Sequence, residues 1–173
     1  MTIGQEFWGE LKLEAEVTRR YLESFLFDKK EFKTAEKSET LGRLVIHVAE
    51  IVGWWATCIN QEKLNFIDLE SKEINTVSKL LSYFDRLLNE AKEALMNVKG
   101  ENLVEDWSMT YGEEVLLTQP EKQVLRLFCM NHLVYHLAQV GVYLRMLGIT
   151  VPAVYRLSAD DKNVTLINQY DYE

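Results

Sequence analysis

The chain has 173 residues, 47% of them hydrophobic and 27% charged, enough for a single domain around one sizeable core. Lysine and arginine total 19 against 27 aspartate and glutamate residues, and the net charge of −8 is scattered along the chain, a balance that repels phosphate backbones and argues against nucleic-acid binding. The first ten residues have neither the basic start nor the unbroken apolar segment of a signal peptide, and no apolar run is long enough to mark a membrane span.

Phe7, Trp8, Leu11, Ala15, Thr18, Leu22 and Phe25 recur at spacings of three and four, which predicts an amphipathic helix over residues 3–27. A polar connection follows, in which Ser38 or Thr40 is placed to cap the next helix through its side-chain oxygen. That second helix, over residues 40–60, carries Leu44, His47, Val48, Ile51, Trp54, Trp55 and Cys58 on its apolar stripe. His47 stands where a leucine is expected, and a buried imidazole needs a hydrogen-bond partner or a metal. Cys58 is eleven residues further on, about 16 Å along the axis, too far to share an ion with His47.

A long polar connection over residues 61–75 leads to a third helix over residues 76–98, whose stripe of Val77, Leu80, Leu81, Phe84, Leu87, Leu88, Ala91, Leu95 and Val98 reads as scaffold. Gly100 stops it. Residues 101–118 form one long irregular stretch with Trp107, Met109, Tyr111 and Gly112, either a functional lid or pocket wall, or a loop with a short hairpin packed over one end of a bundle. Thr118-Gln119-Pro120-Glu121 has the spacing of a capping box with proline in the first turn, so a fourth helix is expected from residue 118 to about 147. Its predicted inner face is Leu125, Phe128, Cys129, His132, His136, Gln139, Val140, Tyr143, Leu144 and Leu147, and Gly148 with Pro152 ends it. Cys58 and Cys129 both fall in apolar helical surroundings, which suits a reduced, cytoplasmic pair better than a disulfide.

The chain has three histidines, and all three fall on apolar helix faces. His132 and His136 are four residues apart, so their rings project from one side of the helix. Three imidazoles converging in a bundle core make a zinc-type site with a fourth position open to a ligand, and nickel or iron accepts the same donors. Three separately satisfied core histidines are the other reading. Cys129, one turn before His132, is a rival ligand, but lies about 10 Å along the axis from His136.

The pattern His-x3-His-x2-Gln-x3-Tyr-Leu-Arg-x2-Gly-x3-Pro, formed by His132, His136, Gln139, Tyr143, Leu144, Arg145, Gly148 and Pro152, resembles the last helix of the DinB-like superfamily, as does Ser158-Ala159-Asp160. The capped second helix with His47 and the pair Trp54-Trp55 is similar too, and the likeness covers residues 5–161. It implies an all-α fold, a four-helix bundle with a long connection between the second and third helices, spanning residues 1–161 and followed by a tail over 162–173. It further implies one divalent metal ion, zinc or nickel, on His47, His132 and His136. Relatives with known activity transfer bacillithiol, mycothiol or glutathione to electrophiles, or use such thiols in isomerisation. The expectation is therefore a metal-dependent thiol S-transferase acting on a small molecule, as a cytoplasmic homodimer with no nucleic-acid or membrane partner. Metal-dependent hydrolysis, or a non-enzymatic metal-binding protein of a stress response, is the alternative. Glu50, one turn after His47, is the nearest carboxylate by sequence to serve as a base, though an exposed helix position fits it better, and Gln139 is placed to bond a ligand or a metal-binding ring. Many relatives have Arg-Gly between the second histidine and the glutamine; this chain has Leu137-Ala138, which spares the ligands but removes whatever that arginine contacts.

Overall fold

In the computed structural model, which describes residues 1–69, 72–155 and 160, each of the first three helices begins where a threonine hydroxyl accepts a free backbone N–H. Thr2 closes a capping box with Gln5 ahead of α1 (Ile3–Glu23), Thr40 caps α2 (Leu41–Asn60) and Thr76 caps α3 (Val77–Asn97). The first helix stops four residues short of the predicted end, because Phe25 turns fully into the core and its ring meets Phe27 edge-on at 4.8 Å. The fourth helix, α4, runs without a break from an α-helical turn (Glu121–Val124) through a π-helical stretch (Leu125–Asn131) into a final α-helical portion (His132–Met146).

The helices bury their apolar stripes against one another around Trp55, Phe84 and a layer of leucines. Helix α3 packs on both α1 and α2, and α2 packs on both α3 and α4, so that α1 and α2 lie diagonally with only glancing contact. Gly53 permits the close approach of α2 to α3, since a Cβ there would come within 2.7 Å of Leu87. No helix among the described residues is long and apolar enough to cross a membrane. The expected tail over residues 162–173 lies outside the described residues, as do Ser158 and Ala159; Asp160 accepts the backbone N–H of Val151 at 3.0 Å.

The all-α expectation is corrected by a three-stranded mixed sheet. The connection between α2 and α3 contains β1 (Lys63–Asn65), which pairs in parallel with β2 (Asp106–Tyr111); β2 turns at Gly112, with φ +61°, into antiparallel β3 (Glu114–Pro120). The strand signal was weak for a physical reason. A bulge between Met109 and Thr110 breaks the alternation, so that Trp107, Met109 and Thr110 are all buried, while β3 exposes Val115 and Leu116. The indole N–H of Trp107 donates to the Gln61 carbonyl at 2.8 Å and pins the sheet to the end of α2.

The same pairing overrides the capping box expected at residue 118. Thr118 lies in β3, where its hydroxyl bonds that of Ser108 across the strands at 2.9 Å, and α4 begins at Glu121 with no side-chain cap. Glu121 is thereby left 8% exposed with Oε1 unpartnered. Burial, and then the nearby Glu105 carboxylate, raises its pKa from 4.5 to about 7. The folded state therefore holds more protons than the unfolded chain between those values. The resulting stability is complete below pH 4.5 and is lost as pH rises through 7. Glu121→Gln is expected to raise stability at pH 7.5 by about 1–2 kcal/mol in urea melts, with the gain vanishing at pH 4; equal gains at both pH values would show that the carboxylate does not titrate across this window.

Candidate metal centre

His47 reaches the centre from the middle of α2, and His132 and His136 reach it from the first two turns of the final α-helical portion of α4. A buried row of Leu125, Cys129, Leu133, Leu137, Val140 and Leu144 runs along α4, and the two histidines flank it half-buried. The wide turns of the π-helical stretch account for the offset: a 3.6-residue count carried through Leu125–Asn131 misses buried Met130 and puts the histidines deeper than they are. Because normal α-helical winding resumes at His132, the pair keeps the four-residue spacing that stacks one ring above the other.

The three rings converge. Ring centroids of His47 lie 5.2 Å from His132 and 4.9 Å from His136, those of His132 and His136 lie 4.5 Å apart, and one nitrogen from each ring falls within 4.8 Å of the others. Nε2 of His136 and Nε2 of His132 are 2.7 Å apart, and Nδ1 of His136 is 2.7 Å from Gln139 Oε1. Since the amide oxygen can only accept, His136 carries its proton on Nδ1, and the Nε2–H of His132 donates to the bare Nε2 of His136. Nδ1 of His132 is then a buried nitrogen with no partner. The Phe128 carbonyl lies close enough to favour a proton there, though it closes no bond. Moving the proton to that nitrogen leaves two Nε2 lone pairs aimed at each other, an arrangement that a cation between them satisfies.

Electrostatics favour the same state. Burial, then the neighbouring His136 and His47, lowers the pKa of His132 from 6.5 to about 4, and the Phe128 carbonyl offsets this only in part. Burial also lowers the pKa of His136, against the opposing effect of the hydrogen bond it donates to Gln139. Both rings are neutral at physiological pH and keep lone pairs for a metal. On the other side, Nδ1 of His47 faces Glu50 Oε2 at 3.6 Å, which leaves its Nε2 for a ligand. Glu50 is 14% exposed, not an open surface position, and Arg43 holds the same oxygen at 2.8 Å. Burial would raise the Glu50 pKa, but the bonds from His47 and Arg43 outweigh it and lower it.

Cys129 does not join the histidines. Its sulfur lies 3.8 Å from that of Cys58, both thiols are free and buried, and burial followed by the Cys58 contact raises the Cys129 pKa well above its ordinary value, so it stays a neutral thiol.

A cavity of about 740 Å³ between α2, α3 and the 3₁₀ turn Phe66–Asp68 is lined by His47 and Glu50 and by Trp54, Phe66, Tyr83 and Leu87. The Trp54-Trp55 pair was visible as a motif, but Phe66 and Tyr83, on other elements, carried no periodic or spacing signal.

The DinB family model matches residues 2–169. Among solved structures, a DinB-like protein from Bacillus subtilis superposes with a TM-score of 0.69 at 20% identity, covering 88% of this chain and 99% of its own. A DinB-like protein from Bacillus cereus superposes at 0.68 and 19% identity, covering 87% and 97%. Both have the same fold as this chain. No protein with a curated description matches.

Two substitutions separate a ligand from its support. His132→Ala is expected to abolish stoichiometric zinc binding in calorimetric titration while keeping the helical circular dichroism. Gln139→Ala should keep one zinc per chain but weaken it by about 10- to 100-fold; unchanged affinity would show that Gln139 does not orient His136.

Proposed function

Since the chain belongs to the DinB family, we propose that His47, His132 and His136 hold one divalent metal ion, zinc or nickel, and that the protein transfers a low-molecular-weight thiol to a small electrophile. The observation that supports this reading best is the convergence of three imidazoles from two helices, one of which, His47, lies on the wall of a cavity large enough for a small molecule. A dication held there lowers the pKa of a thiol, so that the nucleophilic thiolate is available at neutral pH.

The chain's own residues do the rest. His132 and His136 stay neutral and keep their lone pairs because they are partly desolvated. Gln139 fixes the ring of His136, and Glu50, itself held by Arg43, orients that of His47. Trp54 and Leu87 exclude water from the cavity wall next to the cluster. Glu50 lies on that wall with its carboxylate kept ionised, so its role is to position His47.

A second reading draws on the origin of the histidines in α2 and α4: an ion that only ties these two helices together, in a protein without turnover. The two readings separate in one experiment on zinc- or nickel-loaded protein, offered a panel of low-molecular-weight thiols and electrophiles and followed by loss of free thiol. Conjugation that disappears in His132→Ala supports transfer. Absence of conjugation across the panel, with a large fall in melting temperature on chelation, supports the tie between helices and removes the transferase reading.

A further inference from the structure

The cavity wall beside the histidines is aromatic, and its outermost ring comes from the segment that the sheet holds in place. Trp54 and Phe128 stack at 4.8 Å with their planes 7° apart. Trp54 also lies 5.3 Å from His47 and 5.4 Å from His132, and Phe128 lies 5.4 Å from His132. Phe66 closes the group edge-on, 6.3 Å from Trp54 and 6.5 Å from Phe128. Trp54 and Phe66 both line the cavity, with Leu87 and Leu69 nearby.

Phe66 is half-buried on a connection, a place where a large apolar ring gains little from core packing. Its position is nevertheless fixed. Asn65 Oδ1 accepts the N–H of Ile67 at 3.3 Å and the N–H of Gly112 at 3.0 Å, so one side chain ties the start of the 3₁₀ turn to the tip of the β2–β3 hairpin. The sheet thus holds a ring at the edge of the cavity, facing the aromatic pair that borders two of the three histidines.

We propose that this wall selects the electrophile: a planar, conjugated acceptor such as an aryl enone lies against Phe66 and Trp54 with its reactive double bond towards the histidine cluster. The proposal rests on the thiol-transfer reading above. Flat π systems gain from stacked and edge-on contacts with such rings beyond the area they bury. Addition to an enone also needs no leaving group. The sulfur forms a bond to the β-carbon, the π electrons move towards the carbonyl, and the proton lost by the thiol is returned at the α-carbon.

The test compares two enones that share the reactive group and differ in one ring, benzylideneacetone and its aliphatic counterpart ethylideneacetone. Their binding to zinc-loaded protein is measured by calorimetry in the absence of thiol, for wild type, Phe66→Ala and Phe66→Leu. Benzylideneacetone is expected to bind saturably and to lose about tenfold in affinity in Phe66→Ala, with little recovery in Phe66→Leu; the far weaker binding of ethylideneacetone should not change. Retained zinc stoichiometry shows that the variants are folded. In turnover with L-cysteine, the same substitution should raise KM for benzylideneacetone and leave kcat alone. Equal affinity for the two enones, or benzylideneacetone binding indifferent to Phe66→Ala, overturns the aromatic selector even where thiol transfer is observed. Selective, Phe66-dependent binding without turnover sustains the selector and removes the transferase reading instead.

Discussion

The packing of α2 on α4 is the contact on which the site depends. Imidazoles from two distant segments of the chain gain nothing by burial unless each nitrogen that leaves water finds a partner or a cation. The α2–α4 contact faces His47 towards His132 and His136, so that one nitrogen from each ring lies where a single cation can satisfy all three, and the stack of Trp54 on Phe128 joins the same two helices immediately beside them. The cluster and its aromatic flank are therefore one structural unit. A shift of either helix by a fraction of a turn would separate the rings and open the stack together.

Helix α4 meets two demands that conflict along a uniform α-helix. Its first half must pack Val124, Leu125, Cys129 and Met130 against the core, and its second half must hold two rings one turn apart at the edge of that core. The π-helical stretch changes the winding between these segments, so each keeps the face it needs. The support around the rings is unequal. Gln139 is in hydrogen-bond contact with His136, Glu50 stands further from His47, and Nδ1 of His132 is left bare. His132, whose pKa burial and the neighbouring imidazoles lower to about 4, is the ring whose proton must move for both lone pairs to face one point.

The sheet takes part in the same geometry. It covers the end of α2 through Trp107 and fixes the 3₁₀ turn that carries Phe66 through Asn65. The connection between α2 and α3, which a pure bundle would leave as a loop, thus becomes a wall of the cavity that His47 also lines. The cost falls at the head of α4, where β3 consumes the threonine that would have capped the helix and leaves Glu121 buried with an unpartnered oxygen.

Much of this was legible in the chain. Apolar stripes with a 3.6-residue period marked α1, α2 and α3, and a hydroxyl cap at Ser38 or Thr40 marked the start of α2, because helix periodicity and capping are local properties of a few turns. The spacing of His132 and His136 and the buried side of α2 named the three histidines for the same reason. Of the sheet, the sequence offered only a short hairpin as one of two readings of residues 101–118; its full extent and the parallel pairing of β1 were not legible, since a bulge scrambles the alternation of β2 and β1 is only three residues long. Neither were the π-helical stretch, the clamp of Arg43 on Glu50, or the place of Phe66 at the cavity edge. Each of these depends on which segments meet in space, where hydrogen bonds between distant residues outweigh local preference, and only the tertiary structure decides that.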